Sequence, residues 1–292
     1  MNFFKALFGG SDENPEEVKK NNETRQFETL KYDGVKATRI GKLEVAVGFF
    51  TQALKLQDDL EVRDYLSRTL VALNRMDEAL DELEHIAAAQ PDNVDVLLQM
   101  GHVAYMKEDY ARMKDICERA LKVDDKNSRV HYQYAQALNG QGDRVKALAR
   151  LSKAISLNEN DADARLLRGQ TLYAMKQYAG AVEDVRWLLE HVQPQEDVLL
   201  LGARVMHAGK NDEVALRLYD AIIEINPFHV DAYRERGKIR FDRGDKAGAE
   251  EDMKKVLEIN PEELSGVSGD FKAEGVEEQV KRAYSMMNPF GI

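Results

Sequence analysis

One thirteen-residue phrase, Ala215 to Pro227 (ALRLYDAIIEINP), returns thirty-four residues later as Ala249 to Pro261 (AEEDMKKVLEINP). Weaker copies open at Ala181, Ala147, Met113, Ala79 and Ala46, so successive anchors lie 33, 34, 34, 34, 34 and 34 residues apart. A fixed period in that range describes a stack of helix pairs in which each unit covers its neighbour's apolar face. The 292 residues therefore read as one repeat array and not as two globular domains.

Each unit divides in two. In the repeat that opens at Ala162, Leu166, Leu167, Gly169, Leu172 and Tyr173 recur at helical spacing. After the polar turn Met175-Lys176-Gln177, Ala181, Val185, Leu188 and Leu189 do the same. Neither half is long enough to be stable alone in water, so packing of one helix on another must hold them. Small residues recur where backbones need to approach: Gly34, Ser67, Gly101, Ala135, Gly169, Ala203 and Gly237 in the first helices, and the alanine series in the second. Pro91, Pro227 and Pro261 fall at one point after the second helix, where the missing N–H ends it.

A small residue early in the first helix, alanine early in the second and proline at the end make the array similar to the tetratricopeptide repeat (TPR) family over about residues 27–263. That resemblance implies an all-α fold, a right-handed α-solenoid of seven helix hairpins at 27–59, 60–93, 94–127, 128–161, 162–195, 196–229 and 230–263. Met113 departs from the alanine pattern, and Asp58, Asp125, Glu159 and Gln193 stand in place of the proline. Residues 1–26 read as an N-terminal apolar segment and a polar linker (Ser11 to Gln26). Residues 264–292 read as a capping helix, with Asp270 at its start and Phe271, Val276, Val280, Ala283, Tyr284 and Met287 on its apolar face, followed by an apolar tail.

Charge and cysteine use narrow the function classes. With 52 acidic against 41 basic residues, the net charge of −11 argues against a nucleic-acid backbone as partner. Cys117 is the lone cysteine, which favours a reducing compartment, and a cytoplasmic location is expected. No run of eighteen apolar residues is present to span a membrane. The six histidines never fall within metal-ligand spacing, and no nucleophile, paired carboxylates or phosphate loop stands out. Neither catalysis nor a cofactor nor a metal is expected.

The family resemblance implies that the first-helix faces line a concave groove that holds peptides or other proteins. On this sequence the groove positions are Leu98, His102, Tyr105, Tyr132, Gln136, Asn139, Leu166, Gln170, Tyr173, Arg204, His207, Arg234 and Lys238. The amides can pair with both the N–H and the C=O of an extended backbone, and the tyrosines bury partner side chains at low entropy cost. Arg204, Arg234 and Lys238 supply positive charge at one end. The expected partner is a protein or peptide with an apolar or aromatic segment and an acidic end. The acidic row Glu28, Glu61, Asp95, Asp163, Asp197 and Asp231 sits in first turns, where it complements the helix dipole and needs no ligand. Chaperone-binding members of the family carry a Lys/Asn, Asn, Lys/Arg clamp across three successive repeats, and no such series occurs here. A reading from another class is a structural assembly factor. It would act by self-association or membrane-surface attachment through Phe3, Phe4, Leu7 and Phe8 at one end and Met286 to Ile292 at the other.

Overall fold

The computed structural model describes residues 15–261, so the apolar N-terminal segment, the capping helix and the tail lie outside the described residues. Those residues form fourteen α-helices and no strand. The first eight are α1 (Pro15–Arg39), α2 (Leu43–Leu56), α3 (Leu60–Ala72), α4 (Met76–Ala89), α5 (Val94–Met106), α6 (Tyr110–Val123), α7 (Ser128–Gly140) and α8 (Arg144–Leu157). The rest are α9 (Ala162–Ala174), α10 (Tyr178–His191), α11 (Glu196–Ala208), α12 (Asp212–Ile225), α13 (Val230–Asp242) and α14 (Lys246–Ile259). The chain divides into two compact units after Arg150, within α8. In the first unit α1 packs on α2, α3 on α4 and α5 on α6; in the second α9 packs on α10, α11 on α12 and α13 on α14. Each second helix of these hairpins, up to α12, also packs on the helix that follows it.

The stretch from Pro15 to Gln26, expected as part of a polar linker, is instead the first half of α1. Proline suits the opening position of a helix because its absent N–H would be unpaired there anyway. Glu16 and Glu17 lie in the first turn, where they favour the helix dipole. Lengthening a helix already held by packing costs far less than nucleating one, which is why exposed polar residues can stay helical.

Every turn between the two helices of a hairpin contains one residue with positive φ: Gly41, Asn74, Glu108, Gly142, Lys176, Lys210 and Gly244. The amide of the next residue then reaches back to a carbonyl five positions earlier, as in Arg75 to Leu70, Gln177 to Leu172 and Asp245 to Arg240. This closure satisfies carbonyls that the helix end would leave open. Glycine adopts that conformation without strain, whereas a side chain costs about 1 kcal/mol there. Glu108→Gly, Lys176→Gly and Lys210→Gly are therefore each expected to raise stability by about 1 kcal/mol, readable as a higher thermal midpoint. An unchanged midpoint in all three would count against the left-handed turn.

The core follows the small-residue pattern. Gly34, Ser67, Gly101, Ala135, Gly169, Ala203 and Gly237 are all buried. Ala46, Ala79, Met113, Ala147, Ala181, Ala215 and Ala249 are each 0% exposed. A Cβ at Gly169 would stand 2.8 Å from Leu201 Cδ2, and one at Gly34 would strike the buried Phe50 ring. Cys117 is buried among them, and burial pushes its thiol up to about 12, so it stays protonated near neutral pH.

One register inside the hairpins changes chemistry from repeat to repeat. Arg168 on α9 donates to both oxygens of Asp184 on α10, at 2.8 and 2.7 Å, and Arg165 stands 3.5 Å from the same carboxylate. Sixty-eight residues on, Arg236 pairs with Asp252, which Arg240 also reaches at 3.0 Å. Both aspartates are almost wholly buried. At the matching positions of the third repeat stand Met100 and Ile116, both buried and apolar. Between these, Tyr134 carries the Arg150 guanidinium 4.5 Å above its ring.

Candidate functional site

The groove positions sit on the first helices, α5, α7, α9, α11 and α13. Within the first unit, a cavity of about 410 Å³ opens between α3, α5 and α7. Leu98 and His102 line it, together with Ser67, Arg68, Val71, Gln99, Arg129 and Gln133. Leu98 differs from the exposed apolar contact the sequence suggested: it is 3% exposed and serves as wall more than as surface. Its carbonyl accepts from Gln133 Nε2 at 3.0 Å. That bond turns Gln133 Oε1 towards Gly101, where it is buried with no hydrogen-bond donor among the described residues. Arg68 and Arg129 carry the cavity's charge, each paired at the surface with an aspartate (Asp64 and Asp95) outside the lining. No carboxylate lines the cavity itself.

The other first-unit positions are dispersed along α5 and α7. Tyr105 is 41% exposed and meets Tyr110 edge-on, with ring centroids 6.3 Å apart. Tyr132 and Gln136 are half-buried on α7, and the Gln136 amide donates to the Tyr132 hydroxyl at 3.3 Å. Asn139 is half-buried near the end of the same helix.

In the second unit Leu166 packs against the cluster of Ala181, Val185, Leu201 and Val205, while Gln170 is exposed. Five groove positions converge. Tyr173, Arg204, His207, Arg234 and Lys238 line one cavity of about 300 Å³ with Tyr219 and Glu235. Helix α9 contributes the tyrosine, α11 the Arg204–His207 pair one turn apart, and α13 the Arg234–Lys238 pair. Tyr173 is braced by Tyr178, with ring centroids 5.5 Å apart.

The charges here are not all free, as a simple positive patch would require. Arg204 donates to both oxygens of Glu235, with Nε at 2.9 and 3.0 Å and Nη2 at 2.5 Å. The carboxylate beside it raises the Arg204 guanidinium above its ordinary range. Tyr219 donates to the other side of Glu235 at 2.6 Å. Burial, with that carboxylate nearby, pushes the Tyr219 hydroxyl well above the phenol range, so it remains a donor. Arg234 pairs with Asp231 at 2.5 Å, and His207 Nδ1 lies 2.7 Å from Asp212. Lys238 has no ion pair among the described residues. The cavity thus holds three cations against one lining carboxylate, with Lys238 the least committed of them.

Glu235, Gln133 and Arg129 were not legible as site residues. Each contributes through a contact 31 to 35 residues away, between successive first helices. A further link between first helices, Lys31 of α1 to Glu61 of α3 at a separation of 30 residues, is a weak signal that a charge about one period away can face its partner. Among the described residues no cluster of His, Cys, Asp and Glu could hold a metal, and no helix is long and apolar enough to cross a membrane. Trp187 stacks on His191 at 4.5 Å and carries Arg165 over its ring at 4.4 Å.

Residues 209–263 match the family model described as tetratricopeptide repeat. DnaJ homolog subfamily C member 3 of Gallus gallus is 21% identical over 229 residues, covering 69% of this chain and 45% of the relative. Tetratricopeptide repeat protein 16 of Homo sapiens is 30% identical over 144 residues, covering 45% of this chain and 16% of that one. The chain spans less than half the length of the curated relatives it matches. Among solved structures, the C-terminal part of a TPR repeat-containing protein from Cytophaga hutchinsonii superposes with a TM-score of 0.62 at 17% identity, covering 82% of this chain and 100% of that one. YrrB, described as a TPR protein with an unusual peptide-binding site, gives 0.50 at 26% identity, covering 63% of this chain and 95% of its own.

Proposed function

Because the chain is a tetratricopeptide-repeat protein, with the interaction-scaffold role that such a fold supports, we propose that it is a non-catalytic adaptor gripping a polypeptide segment along its first-helix faces. One observation carries this reading. In a chain of net charge −11, the first-helix cavity of each unit has two more cations than carboxylates in its lining. Positive concavities attract acidic segments, while the net negative charge of the rest of the protein repels acidic surfaces that cannot enter them. The ligand class that fits is an apolar or aromatic segment with an acidic end. In the second unit Tyr173 offers the aromatic contact and Gln170 the backbone pairing; in the first unit Tyr105 and Gln136 offer the same. Lys238 and Arg234 receive the carboxylates. The peptide-binding description of YrrB supports this mode of use.

The test reverses charge without touching the core. Arg234→Glu with Lys238→Glu is expected to weaken capture of native partners at least tenfold while leaving helicity and thermal midpoint near those of the parent. Capture from cell extract, quantified by mass spectrometry at two salt concentrations, measures it. Retention of the same partners in the same amounts would refute the cationic cavity as the anchor.

A further inference from the structure

A third cavity lies in the first unit between the first helices α1 and α3, away from the groove positions named above. It measures about 320 Å³ and is lined by Glu28, Lys31, Tyr32, Val35, Lys36 and Arg39 of α1, with Tyr65 of α3. The α1 residues follow one helical stripe. Lys31 is engaged by Glu61 and Asp59. Lys36 and Arg39 form no ion pair among the described residues, and Tyr32 beside them is 69% exposed. A large exposed ring with two uncommitted cations one and two turns further along the same helix is a surface that lacks its cover.

The same chain carries a segment of matching chemistry at matching reach. Residues 3–8 (FFKALF) hold three phenylalanines, one leucine and a single charge, Lys5. Phenylalanine faces suit the ammonium of Lys36 and the guanidinium of Arg39. The reach of the chain permits the contact. Helix α1 starts at Pro15. At about 1.5 Å per helical residue, Glu28 and Arg39 lie about 20 and 36 Å along it. A chain doubling back from Pro15 at about 3.4 Å per residue brings Phe8 to about 24 Å and Phe3 to about 40 Å. The apolar stretch of the segment and the cavity therefore coincide.

We propose that the α1 cavity is the intramolecular seat of residues 3–8, with Phe3, Phe4 and Phe8 against Tyr32, Lys36 and Arg39. The interaction is a self-contact of the full chain, independent of the groove in the other cavities. It also withdraws from solvent the aromatic residues that would otherwise favour membrane surfaces or a second copy.

A nitroxide attached at Asn2→Cys in the full chain tests this by NMR, since the buried, protonated Cys117 does not compete for the label. Amides of residues 28–42 are expected to be broadened, and the broadening is expected to vanish in a labelled chain that also carries Phe3→Ala, Phe4→Ala and Phe8→Ala. Lys36→Glu with Arg39→Glu is expected to remove it as well, with the other amide shifts retained. Broadening confined to residues near Pro15, or absent altogether, would overturn the proposal. Mixing nitroxide-bearing chains with isotopically labelled, nitroxide-free chains separates the alternatives: broadening in that mixture assigns the cavity to a second copy and overturns the intramolecular seat.

Discussion

Asp184→Ala is expected to cost about 3–5 kcal/mol. Asp184 is 0% exposed and accepts two hydrogen bonds from Arg168, with Arg165 also beside it. Removing the carboxylate leaves the Arg168 guanidinium without its counter-charge and with only the Ser152 hydroxyl, at 3.3 Å, as acceptor, and that unpaired charge, more than the lost pair, sets the size of the effect. The third repeat shows another solution at the same register, Met100 against Ile116. Arg168→Met with Asp184→Ile is therefore expected to recover most of the stability, because an apolar pair of similar volume needs no desolvation of charge. In an array of repeats the damage is local. Hydrogen exchange should show α9 and α10 opening first, alongside a fall in the denaturant midpoint. A loss below about 1 kcal/mol for Asp184→Ala would mean the arginines find water or another acceptor, contrary to the buried geometry.

Glu235→Ala is expected to cost about 2–4 kcal/mol and to alter the site as well. Glu235 receives Arg204 on one side and the buried Tyr219 hydroxyl on the other, so its loss leaves Tyr219 without its acceptor and Arg204 with only Asp231 at 3.5 Å. Tyr219 is 1% exposed and cannot turn to solvent without leaving the core of α12. Glu235→Gln separates the two consequences. The amide oxygen still accepts from Tyr219 and the volume is kept, so most stability should survive. The lining then carries three cations and no carboxylate, and capture of acidic partners is expected to strengthen several-fold, more so at low salt. Thermal unfolding reads the first effect and quantitative capture the second. Unchanged capture with Glu235→Gln would show that the charge of this cavity does not govern recognition.

These two carboxylates mark where sequence reasoning reaches its limit. The alanines at the start of the second helices and the small residues of the first are visible in the chain because each acts within its own hairpin, at spacings that helical geometry makes constant. The prolines and the polar turns are visible for the same reason. The left-handed turn position was not read from the sequence: Gly41, Gly142 and Gly244 suit it, but Glu108, Lys176 and Lys210 hold it too, and nothing in a glutamate or lysine announces positive φ. The helical state of Pro15 to Gln26 was hidden too. Its side chains are mostly polar, with no apolar periodicity, and the helix there extends one that is anchored further along.

What the sequence by itself determined is the repeating unit: two amphipathic helices, a turn and a stop, recurring at one period and burying small residues where backbones cross. What only the tertiary structure decided is which residues of different repeats meet. Arg204 looked like free charge until Glu235, 31 residues on, was found holding it, and Leu98 looked like surface until Gln133 closed over its carbonyl. The physical reason is that a period constrains each helix against its own partner, while contacts between successive first helices depend on their offset and crossing, which single-residue spacing does not encode.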